Sequence, residues 1–205
     1  MDKDHLLTSE AQIEAIYGEP VSRSITKEID HLNAPYRRFI EASPFCVIAS
    51  AGPEGLDATP RGDPAPLARV VDERTLMLPD RRGNNRTDTL RNLVRDDRIG
   101  MIFFIPGSGS TVRVNGRASI SVDPDLLESF EIQGKLPRSV IIVSIDRVYF
   151  HCVKAFHRAK LWETETWPDK SEIPSPGEMV KAVEPDFDAV SYDTGYPAHM
   201  AKTIY

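Results

Sequence analysis

Apolar residues along the chain fall into short clusters at turn spacing, most of them continuous runs and one of them alternating with period two. The clearest is residues 111–122. Val112, Val114, Gly116, Ala118, Ile120 and Val122 alternate there with Thr111, Arg113, Asn115, Arg117, Ser119 and Ser121. That alternation describes a strand with one face in a core and the other polar. Apolar runs at 45–49, 67–71, 75–78, 99–105, 139–145 and 148–152 read as further strands. Turns are marked by Gly52-Pro53-Glu54-Gly55 and by Asp72-Glu73-Arg74. Residues 57–64 are polar and extended, and Pro60 and Pro64 limit sheet pairing there.

Helical spacing is confined to the flanks and a few connections. Ser9-Glu10-Ala11-Gln12 has the form of a capping box ahead of Ile13 and Ile16, and Gly18 with Pro20 ends that helix. A second helix is expected from about 30 to 42, with Leu32, Tyr36, Phe39 and Ile40 on its apolar side and Pro35 in its first turn or breaking it. Another follows Thr87, where Leu90, Leu93 and Val94 stand at i, i+3 and i+4. Short helices are expected from Asp123 to about Phe130 and over 154–162. Six or seven short strands with few helices between them suggest a barrel in a mainly β domain with flanking helices.

A length of 205 residues suits one domain with additions. The pattern divides it into an N-terminal helical segment (1–42), a β domain (43–162) and an acidic, Pro-rich C-terminal arm (163–205). Pro168, Pro174 and Pro176 lie in a stretch too poor in apolar residues to form a core. Phe187, Tyr192, Tyr196, Ile204 and Tyr205 then give the arm something to dock with. No apolar run reaches the roughly 18 residues needed to span a membrane. The start, Met1 to His5, is polar and unlike a signal peptide, so a cytoplasmic location is expected. Cys46 and Cys152 lie in apolar segments and read as buried thiols without metal-ligand spacing.

Charge placement narrows the chemistry. Net charge is −6, and residues 162–205 carry nine acidic against three basic groups, so residues 1–161 balance to zero. Within that neutral body, residues 81–98 hold six Arg against three Asp. A local basic cluster suits a small anion, whereas a nucleic-acid binder is more often basic over a whole face. The cluster opens on a strand, Leu76-Met77-Leu78, which Pro79-Asp80 stops. Arg81-Arg82-Gly83-Asn84-Asn85-Arg86 then leads into the helix after Thr87. Guanidinium and amide donors at a helix start make an anion site, with phosphate the usual anion. A polar turn that merely caps the helix is the plain alternative. Arg113 and Arg117 on a polar strand face are equally consistent with solvation. Trp162 either stacks on a ligand or caps the core, and His157 reads as a surface helical residue. No Ser-His-Asp set, metal cluster or strand-borne Gly-x-Gly-x-x-Gly stands out.

Phe45-Cys46-Val47-Ile48-Ala49-Ser50, Ala58-Thr59-Pro60-Arg61-Gly62, Leu78 to Arg86 and Val112-Arg113-Val114-Asn115-Gly116-Arg117, in that order, resemble the pyridoxamine 5′-phosphate oxidase-like, FMN-binding split-barrel family. The resemblance covers roughly 42–162. It implies a six-stranded antiparallel split barrel with Greek-key features, and a homodimer holding FMN between subunits. It also implies that Arg61 and Gly62 lie beside the flavin and ribityl chain. Leu78, Pro79, Asp80 and Arg81 would pass the isoalloxazine edge. Asn84, Asn85, Arg86 and Thr87 would reach the ribityl hydroxyls and phosphate, and Arg113 and Asn115 would add contacts from the partner. Trp162 joins this set as a stacking candidate. The true oxidases carry a C-terminal Arg-x-His-Asp-Arg-like stretch that grips pyridoxal phosphate. This chain has Lys154 to Trp162 instead, which counts against pyridoxamine phosphate as substrate.

The function implied is an FMN-dependent oxidoreductase passing hydride or electrons between bound flavin and a small molecule. A flavin-binding or flavin-sensing protein without turnover is the alternative. A nucleic-acid-binding barrel is disfavoured by the acidic arm and the scarcity of aromatic strand residues. Two placements of the arm remain open: across a dimer beside the cleft, or folded back on its own barrel.

Overall fold

Seven antiparallel strands make one sheet, and the alternation seen in the sequence sets which face of each is buried. A computed structural model describes residues 5–205, so the polar stretch 1–4 lies outside the described residues. Helices α1 (Glu10–Tyr17), α2 (Ser22–Thr26) and α3 (Ala34–Glu41) precede β1 (Phe45–Gly52), β2 (Gly55–Gly62), β3 (Arg69–Val70) and β4 (Thr75–Asp80). Helix α4 (Asp88–Arg95) leads to β5 (Arg98–Phe104) and β6 (Thr111–Ser121). Then come α5 (Pro124–Glu128), β7 (Ser139–His151), α6 (Lys154–Ala159), α7 (Pro176–Lys181) and α8 (Ala189–Thr203). The strand order is β2-β1-β5-β6-β7-β4-β3, with every neighbouring pair antiparallel. The sheet therefore has seven strands, the seventh being the two-residue β3, and β2 and β3 are its edges.

The core is the inward row of each strand. Leu76 and Leu78 of β4, Phe103 of β5, Val112 and Val114 of β6, and Ile141 and Val143 of β7 are at most 1% exposed. Helix α3 adds Tyr36 and Ile40, with Pro35 in its first turn and Asn33 capping the Tyr36 amide. The Ser9–Gln12 capping box forms, and Gly18 ends α1 in a positive-φ conformation. Within α4, Leu93 is buried but Val94 is exposed, because only one narrow stripe of this short helix faces the sheet. Of the two thiols expected to be buried, only Cys46 is, and burial pushes it up to about 12. Cys152 is exposed just past the end of β7.

Three local expectations give way to pairing. Residues 57–62 are not loosely extended, since β2 pairs with β1 along its whole length and Pro60 faces Val47. An edge strand tolerates proline because its outer N–H has no partner to lose. Nor does Pro79-Asp80 stop the strand. Pro79 pairs with Val140 and Asp80 with Ser139, beyond the reach of β3 on the other side. The segments at 139–145 and 148–152 are one strand, β7, bulged at Asp146 so that Asn115 faces Arg147 while Gly116 faces Ile145.

The bulge explains Gly116. A Cβ there would lie 2.1 Å from the Ser144 carbonyl oxygen. Overpacking of this kind costs about 1–3 kcal/mol. Gly116→Ala is expected to lower stability by at least that much in urea unfolding, with the slope unchanged.

The arm is more ordered than its proline content suggests. Ser175 caps α7 in a capping box with Glu178. Asp193 of α8 accepts from Ser175 Oγ at 2.5 Å and from the Gly177 amide at 2.9 Å. Among the described residues no helix is long and apolar enough to cross a membrane.

Candidate functional site

The strand ends that place chemistry are those of β2 and β4, which the sheet order sets far apart in hydrogen bonding. Side chains join them. Arg61, near the end of β2, donates to Asp80 Oδ1 at the end of β4 at 3.2 Å, and to Thr59 Oγ1 and the Pro60 carbonyl at 2.9 and 3.0 Å. One residue past β2, Asp63 is fixed by its amide on the Pro44 carbonyl at 3.0 Å. Its Oδ2 accepts from Arg81 Nε at 2.8 Å, and Arg81 Nη1 donates to the Phe130 carbonyl at 2.7 Å. An open cleft of about 720 Å³ lies against these groups.

The other wall is the loop from Arg81 into α4. Asn85 and Thr87 are left-handed, at φ 62° and 58°. Asparagine adopts that region readily and a β-branched threonine seldom does, so the loop is held there by its surroundings. Asn84 Oδ1 accepts from the Arg86 amide at 3.1 Å, and Arg138 donates to Asn85 Oδ1 at 2.7 Å. Arg86 pairs with Asp88, the first residue of α4. Thr87 offers no side-chain cap, so the amides of the first turn lack that partner. Two bonds seat the helix on the sheet: Thr89 Oγ1 to Asp57 Oδ2 at 2.8 Å, and Asn92 Nδ2 to Ser50 Oγ at 3.1 Å.

Five arginines (Arg61, Arg81, Arg82, Arg86, Arg138) and four aspartates (Asp57, Asp63, Asp80, Asp88) line the cleft, a slight positive excess. Arg82 is exposed and makes no side-chain bond among the described residues. Burial holds the Asp80 carboxyl above its ordinary value, and the neighbouring Arg61 only partly offsets this. Burial also raises the Tyr205 phenol, helped by its bond to Asp63.

Of the residues singled out from the sequence, Arg61, Gly62, Pro79, Asp80, Arg81, Asn84, Asn85, Arg86 and Thr87 line this cleft together. Leu78 is a fully buried core residue and does not line it. Arg113, Asn115 and Trp162 do not line it. Arg113 donates to Tyr149 OH at 2.8 Å, and Arg117 pairs with Asp97. Trp162 Nε1 donates to the Ser108 carbonyl at 2.7 Å while its ring stacks on Phe156. His157 is exposed on α6.

Sequence reasoning missed Asp63, Arg138 and the placement of Tyr205. Asp63 adjoins the Pro60-Arg61-Gly62 motif, and that adjacency was its only signal. Arg138 is delivered by the connection into β7, whose amide bond from Arg138 to the Asp80 carbonyl, at 3.0 Å, is invisible in local pattern. Tyr205 brings the end of the arm to the cleft of its own chain, where its hydroxyl donates to Asp63 Oδ1 at 3.0 Å. Among the described residues no His, Cys, Asp and Glu group could hold a metal ion.

A family model described as pyridoxamine 5′-phosphate oxidase matches residues 32–152. Several solved structures are similar. HupZ of Group A Streptococcus is 16% identical over 58% of this chain and 98% of its own, with a TM-score of 0.47. A candidate pyridoxamine 5′-phosphate oxidase of Lactobacillus delbrueckii is 17% identical over 59% of this chain and 95% of its own, with a TM-score of 0.48. An F420 reductase is 15% identical over 58% of this chain and 98% of its own, with a TM-score of 0.42. No curated protein matches the chain in sequence.

Proposed function

The chain belongs to the pyridoxamine 5′-phosphate oxidase family, and from that premise we propose that it binds FMN in the cleft and serves as an FMN-dependent oxidoreductase for a small molecule. The observation that carries the reading is the convergence of Asn84, Asn85, Arg86 and the first turn of α4 with Arg61 and Arg81 around one cavity. A volume of about 720 Å³ falls in the range of cofactor pockets. The donor set fits the group. Asn84, Asn85, Arg86 and Thr87 would hold the phosphate and ribityl hydroxyls, Arg61 and Arg81 would donate to the ring, and Leu67 and Pro79 would supply apolar wall. Bound flavin supplies hydride or electron transfer, so the chain's own residues need only bind, orient and shield it.

A six-stranded split barrel, formed by the strands other than β3 and bridged through Arg61 and Asp80, is part of the same reading. So is a homodimer. Arg113, Asn115 and Trp162 lie outside the cleft of their own chain, and a second copy would give them a cleft to face. Binding without turnover is the second reading, because residues that bind, orient and shield a flavin serve a holder of FMN as well as an enzyme.

One preparation tests both. The purified protein is expected to be yellow, to release FMN on denaturation as identified by mass, and to scatter light as two chains. Reduction by NADH or NADPH and reoxidation by an acceptor selects the enzyme over the binder. A colourless protein that takes up no added FMN would remove the cofactor reading.

A further inference from the structure

Helices α7 and α8 close on each other through Asp193, Ser175 and Gly177. Toward the rest of the chain, residues 175–205 make a single hydrogen bond among the described residues, from Tyr205 OH to Asp63 Oδ1 at 3.0 Å. That bond falls in the cleft. The Asp63 carboxylate is thereby shared, one oxygen to Tyr205 and the other to Arg81, and its side chain is only 4% exposed. The Tyr205 ring also lies 5.8 Å from the Arg81 guanidinium carbon, at the outer limit of a cation–π contact.

We propose that Tyr205 is a positioning residue of the cleft: through Asp63 it holds Arg81 for the bound cofactor, and its ring closes one side of the cavity, so that docking of the arm and binding of FMN reinforce each other. This rests on the cofactor reading above. Two observations favour reinforcement over competition. With Tyr205 seated the cleft still measures about 720 Å³, so a ligand need not expel it. Without Tyr205, Asp63 loses the partner of one buried oxygen, and Arg81 loses the fixed orientation of the carboxylate that holds its Nε. A single hydrogen bond to a carboxylate biases docking by roughly ten- to a hundredfold, which leaves the arm responsive to ligand. Coupling of this kind is reciprocal: whatever FMN gains from the docked arm, the arm gains from FMN.

The test combines hydrogen exchange over 189–205 with dissociation constants for FMN and riboflavin in the wild type, Tyr205→Phe and Tyr205→Ala. FMN is expected to slow exchange of the wild-type arm. Tyr205→Ala should bind both flavins about tenfold more weakly and lose that slowing. Tyr205→Phe, which keeps the ring and loses the hydroxyl, should fall between. The FMN to riboflavin preference should not change, because the phosphate donors lie on the α4 side. Equal or tighter FMN binding by Tyr205→Ala, or an arm indifferent to FMN, overturns the proposal alone. A wild type that binds neither flavin overturns the cofactor reading and this proposal with it.

Discussion

Arg86→Ala is expected to weaken FMN binding roughly a hundredfold or more while leaving riboflavin within a few-fold, at unchanged thermal stability. Arg86 is highly exposed, with its side chain at 80%, and its Nε pairs with Asp88 at the start of α4. A charged hydrogen bond to phosphate contributes about 1.5–3 kcal/mol, and a guanidinium commonly makes two. Every 1.4 kcal/mol is about tenfold in affinity. The substitution also exposes Asp88. In the native loop that carboxylate favours the positive helix end and is neutralised by Arg86; without its partner it faces an incoming phosphate with like charge. Both effects fall on the phosphate and neither on the flavin ring. An exposed side chain away from the core alters stability by about 0.5 kcal/mol or less. Titration of the two flavins by fluorescence, beside a thermal melt, separates the outcomes. Equal losses for FMN and riboflavin would move the phosphate away from this loop.

Legibility in the sequence followed locality. Wherever one strand's own alternation decides its buried face, as from Val112 to Ala118 of β6, the pattern sufficed; it failed at the ends of the run, where Thr111 is buried and Val122 exposed. The Ser9 capping box and the Gly18 stop are also local, and both formed as read. The misreadings at Pro60 and Pro79 share a cause. Proline reads locally as a barrier to pairing, but its effect depends on whether the missing N–H points at a neighbour, and strand order alone decides that. The break assumed between the two halves of β7 is likewise a bulge whose existence depends on β6. At the cleft, Arg81 to Thr87 were legible because donors cluster in sequence at a helix start. Asp63, Arg138 and Tyr205 were not, because each arrives from a separate element: the end of β2, the entry to β7 and the end of α8. Arg113 and Trp162 are the converse. The resemblance points Arg113 at the cofactor and Trp162 reads as either a stacking face or a core cap, and within one chain they bond to Tyr149 and Ser108.

The buried pair in the cleft wall offers the other large effect. Asp63 and Arg81 side chains are 4% and 14% exposed, and their bond is 2.8 Å long. Removing one partner of such a pair strands the other charge in a poorly solvated place, at a cost of about 3–5 kcal/mol. Arg81→Met should therefore destabilise the protein by about that amount, although it keeps much of the side-chain volume. Replacing both charges is far cheaper, since desolvation and attraction largely cancel in the intact pair. Arg81→Met with Asp63→Leu should recover most of the lost stability. Some deficit remains, because the Phe130 carbonyl and the Tyr205 hydroxyl each lose a partner. The double variant then separates folding from binding. If Arg81 donates to the cofactor, the refolded double variant still binds flavin poorly, with FMN and riboflavin reduced alike. If stability and flavin affinity return together, the pair serves the fold and the ring donor must be Arg61. Urea unfolding of the four combinations gives the coupling energy, and flavin titration of the same four gives its functional counterpart.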